Sequence, residues 1–321
     1  MKSSRFALRP TRSLGFLSQT FYATRTGDPK GYILKVGTNI AERKRWAKEL
    51  HVFDRELAAY HLLSPFRGKY SPHLYYGTTA DHGSDGLLLM EEIKKARNID
   101  QIRGLEWKDL RSAVLAIAQV HSQFWNSPAL KKAKGLPLHH YMRAHELKQN
   151  LPRFLRWANL SDENKDLFST LPDRVPSVLA RLKKCPFTLV HGDLRSDNIF
   201  FQRKTVRFID WGLSFVGCPA FDLARLAGGS SRTPLTLMQH VELFNLWHRE
   251  LLRHKVRNYP SHEAWQDYRD AVLLTLTIPV TNAPTLAKFS TRGHIMAKLI
   301  TTRFIFASHQ LGILQGPNLV F

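Results

Sequence analysis

The stretch LVHGDLRSDNIFFQRKTVRFIDWG, from Leu189 to Gly212, carries the most informative pattern in the chain. It contains His-Gly-Asp, four further residues and Asn198, then a short apolar run that ends in Asp-Trp-Gly. Apolar residues at 199–201 and at 206, 208 and 209 predict two short strands joined by a hairpin. This hairpin would bring Asn198 and Asp210 into one site. Each acid alone is explained as an ordinary loop residue, but the complete pattern at this spacing indicates a functional site.

The side chains of this stretch have the chemistry that phosphoryl transfer needs. The reaction requires an acceptor hydroxyl aligned with the γ-phosphate of the donor, and metal ions that hold the phosphates. Asp193 can accept the proton of that hydroxyl or orient it. Asn198 offers a neutral oxygen and Asp210 an anionic one, which are the hard ligands that Mg²⁺ prefers. We therefore expect Asp193 to be catalytic and Asn198 and Asp210 to be metal ligands.

The same stretch resembles the kinase-like phosphotransferases, which include aminoglycoside, choline and ecdysteroid-kinase-like enzymes. In protein kinases the equivalent loop begins His-Arg-Asp and the metal motif is Asp-Phe-Gly. Here a glycine and a tryptophan replace that arginine and phenylalanine, as is usual in the small-molecule branch. The following run FVGCPAFDLARL is similar to the Gly-x-Pro-x-x-Asp-Leu-Ala run of that branch. The resemblance implies that five residues support the site: His191, Gly192, Trp211, Gly212 and Asp222.

The resemblance extends to upstream residues that bind the nucleotide. Lys35, in YILKV, is similar to the strand lysine that contacts the α- and β-phosphates of ATP. Glu56, in FDRELAAYHLL, is similar to the helix glutamate that pairs with that lysine, although Glu49 is a rival partner. The run LLLMEEI resembles the strand that leads into the interlobe hinge. Main-chain groups of Glu92 and Ile93 are accordingly expected to bind adenine.

The loop that covers the phosphates departs from the protein-kinase pattern Gly-x-Gly-x-x-Gly. Only Gly15 is available in TRSLGFLSQTF. Small-molecule kinases often use serine and backbone amides in this loop, so Gly15 and Ser18 are the candidates, with Ser13 as an alternative to Ser18. The short N-terminus also leaves little room for a complete first strand.

Patterns of apolar and turn-forming residues divide the chain into a strand-rich part and a helix-rich part. Near the N-terminus they predict one helix, Ile40–Leu63, and four strands: Phe16–Thr26, Tyr32–Val36, His73–Thr79 and Leu87–Glu91. Helices are predicted further on at Trp107–Trp125, His140–Trp157, Asp162–Lys184, Leu235–Lys255, Glu263–Leu276 and Leu286–Leu311. We expect an α+β, bilobal protein-kinase-like fold. A small β-rich N-lobe, residues 1–93, would bind nucleotide, and a larger α-rich C-lobe, residues 94–321, would carry the catalytic loop and the acceptor site.

The chain of 321 residues is strongly basic, with 47 Lys and Arg against 26 Asp and Glu, a net charge of +21. Residues 94–157 are the most basic stretch, with 13 basic and 4 acidic residues. A pocket for a polycationic aminoglycoside would collect acids instead. The charge therefore favours a neutral or anionic acceptor. The predicted enzyme is an ATP- and Mg²⁺-dependent kinase that phosphorylates a hydroxyl of a small molecule.

Two other classes of function are compatible with parts of the sequence. A nucleotide-binding pseudokinase or scaffold would bind ATP without transferring phosphate, but such sites tend to lose the base or the metal ligands. A protein that binds nucleic acid or an anionic membrane would use the basic surface, although no nucleic-acid motif is visible. No obligatory protein partner is evident in the sequence.

The cysteine content and the N-terminus bear on the compartment. Two cysteines, Cys185 and Cys218, cannot form a disulfide framework and have no neighbours at metal-binding spacing. A cytoplasmic location is expected, since few cysteines fit a reducing compartment. The basic, serine-rich N-terminus has some features of an organelle-targeting peptide, but Pro10 would interrupt the amphipathic helix that such a peptide needs.

Overall fold

Five antiparallel strands form the N-terminal sheet of the computed structural model, which describes residues 6–11, 17–66, 68–139, 144–203 and 205–313. The strands are β1 (Phe6–Pro10), β2 (Ser18–Arg25), β3 (Gly31–Gly37), β4 (Leu74–Ala80) and β5 (Asp85–Glu91). They lie in the order β1-β2-β3-β5-β4. Lys35 on β3 lies opposite Thr20 of β2 and Leu88 of β5, so it occupies a central strand.

The first strand corrects the expectation that the N-terminus is too short to supply one. β1 pairs antiparallel with β2 from Phe6 opposite Arg25 to Pro10 opposite Phe21. All five β1 residues are exposed. A strand without a buried face does not need the alternation of apolar and polar residues by which strands are predicted from sequence.

Two helices, α1 (Ala41–Leu50) and α2 (Val52–Leu63), replace the single helix predicted over Ile40–Leu63. The break is at His51, which has the left-handed φ of 50° and ends α1 by donating its N–H to Lys48. No glycine or proline marks this break, so the residue pattern gave no signal. The break places Glu49 and Glu56 on different helices.

A second small sheet contains the hairpin predicted after Asn198. Its strands are β6 (Arg97–Asn98), β8 (Ile199–Gln202) and β9 (Thr205–Phe208), in the order β6-β8-β9. Ile199 of β8 lies opposite Phe208 of β9. The remaining strands, β7 (Thr188–Val190) and β10 (Phe215–Gly217), pair with each other.

Helices make up most of the rest of the described chain. They are α3 (Trp107–Gln123), α4 (Pro128–Lys132), α5 (Ala144–Ala158), α6 (Asp162–Ser169), α7 (Leu171–Leu182), α8 (Ala220–Gly229), α9 (Leu237–Arg253), α10 (Ser261–Thr275), α11 (Thr277–Phe289) and α12 (Thr291–Gln310). Two predicted helices were too long: α6 and α7 are separated at Thr170, and Ser290 separates α11 from α12. The Ser290 hydroxyl caps α12 by accepting a hydrogen bond from the Gly293 N–H, 3.0 Å away. None of the described helices is long and apolar enough to cross a lipid bilayer.

The chain divides into two compact units. The first consists of Met1–Asn98, Pro128–Pro137 and Asn198–Phe215, and the second of Ile99–Ser127, Leu138–Asp197 and Val216–Phe321. In the second unit, the large side chains of Trp247, Tyr268 and Phe304 are fully buried. The assignment of residues 1–93 to the nucleotide and of residues 94–321 to the acceptor stays a prediction.

Candidate active site

The first unit holds a lysine between two carboxylates. Lys35 is 4% exposed, and its Nζ donates to Glu56 Oε2 at 2.6 Å and to Asp210 Oδ1 at 2.8 Å. Glu56 is fully buried on α2, whereas the rival Glu49 is 64% exposed and pairs with Arg45 on its own helix. The structure thus brings three predicted residues together, and we call Lys35, Glu56 and Asp210 the lysine set.

The charges of the lysine set stabilise one another. Burial alone would lower the pKa of Lys35, but the negative charges of Asp210 and Glu56 outweigh it and raise that pKa. Burial raises the pKa of Glu56 to about 7, against the opposing effect of Lys35. Lys35 therefore carries its positive charge at neutral pH, held where an anionic ligand can meet it.

The β8–β9 hairpin positions the predicted metal ligands. The Ile209 N–H donates to the Asn198 carbonyl at 3.0 Å. This hydrogen bond pairs Asn198 with the residue that precedes Asp210. Asp210 then takes a left-handed φ of 62°, and its side chain is 41% exposed. Aspartate tolerates this conformation better than most residues. The turn leaves the carboxylate of Asp210 partly open to solvent beside Lys35.

Trp211 and Gly212 fix the turn that follows Asp210. The fully buried Trp211 donates its indole N–H to the Phe208 carbonyl at 3.1 Å. A Cβ added at Gly212 would lie 2.6 Å from Cγ1 of Val52 on α2. A larger residue at position 212 would therefore push against the helix that carries Glu56.

The second unit holds a carboxylate between two arginines. Arg195 Nε donates to Asp193 Oδ2 at 3.0 Å, and Nη2 of Arg225 donates to Asp193 Oδ1 at 2.9 Å. Arg225 is 3% exposed on α8, and burial lowers its pKa against the opposing charge of Asp193. We call Asp193, Arg195 and Arg225 the aspartate set. Guanidinium groups held against both carboxylate oxygens fix the position of the Asp193 side chain through charge-assisted hydrogen bonds.

Asp222 holds the loop that carries Asp193. This fully buried carboxylate accepts the N–H of His191 at 2.7 Å and the N–H of Gly192 at 3.0 Å. Gly192 has a φ of 81°, a conformation that favours glycine. His191 in turn accepts the Asp193 N–H at its Nδ1, 3.3 Å away. The supporting positions predicted for His191, Gly192 and Asp222 therefore form one hydrogen-bonded network.

Sequence patterns missed several polar contacts of this network. His121, predicted only as core packing, is fully buried and lies 3.1 Å from Asp222 through its Nε2. Arg225 follows Asp222 by three positions on α8, a spacing that places both on one helix face and was the available signal. Arg195 also pairs with Asp197, whose Oδ1 accepts the Gln101 N–H at 2.8 Å.

The remaining predicted nucleotide-binding residues lie on the sheet of the first unit or outside the described residues. Ser18 begins β2, is 6% exposed and lies opposite Gly37. Glu92 follows β5 and donates its N–H to the Gly31 carbonyl at 3.1 Å, so that donor is used by the fold. Ile93 is half-buried beside it. Gly15 lies outside the described residues.

The oxygen donors of the first unit suit a hard divalent cation. Asn198 and Asp210 offer an amide and a carboxylate oxygen, and neither position supplies sulfur or nitrogen of the kind that soft metals prefer. The partly exposed Asp210 carboxylate leaves room for a cation that also binds phosphate oxygens. The residues thus fit the Mg²⁺ that the sequence predicts.

Comparison with protein families gives a match over most of the chain. The model of the phosphotransferase enzyme family matches residues 11–265. This match confirms the predicted family and the prediction that the protein is an enzyme of the kinase type. A comparison with curated proteins finds no match.

Comparison with solved structures confirms the predicted fold. Choline kinase from Cryptosporidium parvum Iowa II matches with a TM-score of 0.61 at 14% identity, over 97% of this chain and 91% of that one. Ethanolamine kinase from Plasmodium vivax matches with a TM-score of 0.57 at 12% identity, over 95% and 82%. A thermostable mutant of an aminoglycoside phosphotransferase, in ternary complex with ADP and hygromycin B, matches with a TM-score of 0.53 at 16% identity, over 95% and 94%.

Proposed function

Because the chain belongs to the phosphotransferase enzyme family, we propose that it transfers the γ-phosphate of ATP to a hydroxyl of a neutral or anionic small molecule. The observation that carries this proposal is Lys35, buried and charged between Glu56 and Asp210. A buried lysine that pairs with a helix glutamate is the arrangement that phosphoryl transfer in this fold requires. The ADP in a structurally similar phosphotransferase supports ATP as the donor.

The lysine set would bind the phosphates of the nucleotide. Glu56 holds Lys35 in place, and the ammonium group is available to phosphate oxygens as a point charge. Asn198 and Asp210 would hold Mg²⁺, which when bound neutralises charge on the phosphates and orients them. Main-chain groups of Glu92 and Ile93 remain the proposed adenine contacts. Glu92 would contact adenine through its carbonyl, because its N–H already donates a hydrogen bond to the Gly31 carbonyl.

Asp193 would act on the acceptor hydroxyl. An ionised carboxylate can accept the proton of the hydroxyl or orient its oxygen toward the γ-phosphate. Arg195 and Arg225 hold this carboxylate in place, and Asp222 fixes the backbone on which it sits.

The charges beside Asp193 favour a neutral or anionic acceptor. Asp193 and Asp197 each pair with Arg195, and Asp100 pairs with Arg292. A polycationic substrate would have to displace these arginines to reach the acids, at the cost of breaking charge-assisted hydrogen bonds. An anionic or neutral hydroxyl compound would meet the guanidinium groups without that cost.

Turnover of ATP on a panel of hydroxylated metabolites tests the proposed function. Wild type is expected to form ADP and a phosphorylated product with a neutral or anionic compound. Asp193→Ala should bind ATP but lose the transfer. Equal product formation by both proteins would contradict the role of Asp193, and efficient phosphorylation of kanamycin-type substrates would contradict the acceptor class.

A nucleotide-binding pseudokinase is the second candidate, and one observation favours it. Both carboxylate oxygens of Asp193 already accept hydrogen bonds from arginines, which leaves fewer lone pairs for an acceptor hydroxyl than an unpaired carboxylate would have. A pseudokinase would bind ATP and form no phosphorylated product with any compound of the panel. The same experiment therefore separates the two candidates.

A further inference from the structure

A cluster of two thiols and one carboxylate shares no residue with either set. Cys185 follows α7, Cys218 immediately precedes Pro219 at the start of α8, and Asp267 belongs to α10. The two sulfur atoms and a carboxylate oxygen of Asp267 all lie within 4.8 Å of one another. Spacing in the sequence gave no sign of this cluster, because its three members come from separate segments.

The carboxylate of the cluster is partly shielded from water. Asp267 is half-buried and accepts a hydrogen bond from the Tyr259 hydroxyl at 2.8 Å. Among the described residues, no lysine, arginine or histidine forms an ion pair with it. A carboxylate in such surroundings is stabilised by a cation that binds it directly.

We propose that Cys185, Cys218 and Asp267 form a binding site for Zn²⁺, with water as the fourth ligand. A tetrahedral zinc ion with bonds of about 2.0 to 2.3 Å holds its ligand atoms about 3.3 to 3.8 Å apart. The observed separations of at most 4.8 Å therefore require each atom to move by about 1 Å or less. The two sulfur ligands select zinc over Mg²⁺ and Ca²⁺, which prefer oxygen.

Binding would change the protonation of the two cysteines. As a thiol, Cys185 donates its S–H to the Leu182 carbonyl at 3.0 Å. Burial raises the pKa of the Cys218 thiol, so this group is also protonated in the absence of metal. Zinc would replace both thiol protons, which pass to the solvent as two Zn–S bonds form.

The position of the cluster indicates a structural role for the ion. It would join the end of α7, the start of α8 and the middle of α10. Helix α8 carries Asp222, the residue that holds the backbone of His191 and Gly192. Zinc at Cys218 would therefore stabilise the helix that supports the catalytic loop, without contact with a reacting group.

Titration of the reduced, metal-free, full-length protein with Co²⁺ tests this site. The chain has only two cysteines, so a thiolate-to-cobalt charge-transfer band reports these two residues alone. We expect one Co²⁺ per chain, displacement by Zn²⁺, release of roughly two protons, and a higher Tm with zinc. Cys185→Ser and Asp267→Asn should each weaken Co²⁺ binding at least about tenfold. Asp173→Asn, an exposed carboxylate in the first turn of α7, is the matched control and should leave binding unchanged.

Three results would overturn the site. The first is the lack of a charge-transfer band in folded, reduced wild type. The second is unchanged affinity in folded Cys185→Ser, a variant chosen because this half-buried position accepts serine more easily than the fully buried Cys218. The third is an intramolecular disulfide that forms on air oxidation in a protein without affinity for Co²⁺ or Zn²⁺.

Discussion

The lysine set and the aspartate set have opposite charge arrangements. In the first, one buried ammonium group lies between two carboxylates, and in the second, one carboxylate lies between two guanidinium groups. The outer charges of each set hold the central group in place. A fixed positive centre suits the phosphates of a nucleotide, and a fixed negative centre suits the hydroxyl of an acceptor. Each charge pattern thus matches a different substrate of the proposed reaction.

Removal of the charge of Asp193 should have the largest effect. In Asp193→Asn, we expect phosphate transfer to fall roughly 1,000-fold while the affinity for ATP stays within about twofold, because the proton acceptor is lost and the lysine set is intact. Transfer rates and equilibrium nucleotide binding measure the two quantities. Asp173→Asn, an exposed acid on α7, should match wild type in both. A parallel loss of ATP binding and phosphate transfer would show that Asp193 also contributes to nucleotide binding, which contradicts the separate roles of the two sets.

Removal of the charge of Lys35 should weaken the use of ATP. Lys35→Met leaves Glu56 and Asp210 without their shared cation, and we expect a loss of about 100-fold in kcat/KM for ATP. Steady-state kinetics with varied ATP measures this effect. Lys48→Met changes an exposed lysine of α1 and should have no effect. Unchanged kinetics in Lys35→Met would remove Lys35 from the nucleotide site.

Asp222→Asn should lower stability and perturb the loop of the aspartate set. The variant loses the buried charge that accepts from His191 and Gly192, and we expect the free energy of unfolding to fall by about 2 to 3 kcal/mol. Urea denaturation gives this value, with Asp166→Asn on the surface of α6 as the control. A loss as small as that of the control would mean that Asp222 does not hold the loop.

The smallest effect should be a pH dependence that arises from Glu56. Its pKa is about 7 in the folded protein against 4.5 without the fold, so the native state binds the proton more tightly. This contribution to stability is present below pH 4.5 and is lost as the pH rises through about 7. Stability of wild type should therefore fall more steeply over this range than that of Glu56→Gln.

Glu49→Gln provides the control for this pH dependence, because the exposed Glu49 was the rival partner of Lys35. The variant should keep the wild-type slope of unfolding free energy against pH. If Glu49→Gln flattens the slope and Glu56→Gln does not, the pairing within the lysine set is wrong.

The sequence predicted the fold and most of the residues in the two sets, because short motifs fix backbone geometry locally. His-Gly-Asp and Asp-Trp-Gly each need a particular turn, and the apolar residues around them need a hairpin. It did not predict Arg195 and Arg225 as partners of Asp193, since these contacts depend on where α8 packs. The break at His51 was also missed, because no glycine or proline marks it. The cysteine cluster was missed because tertiary packing alone brings its segments together.

Mass spectrometry of a metabolite pool incubated with the protein and Mg²⁺-ATP tests the proposed phosphotransferase activity most directly. The pool should contain neutral, anionic and polycationic hydroxyl compounds, and Asp193→Asn should be run in parallel. We predict that wild type adds the mass of one phosphate to a neutral or anionic compound and that Asp193→Asn does not. A gain of phosphate by no compound, in a protein that binds ATP, would contradict the proposed activity.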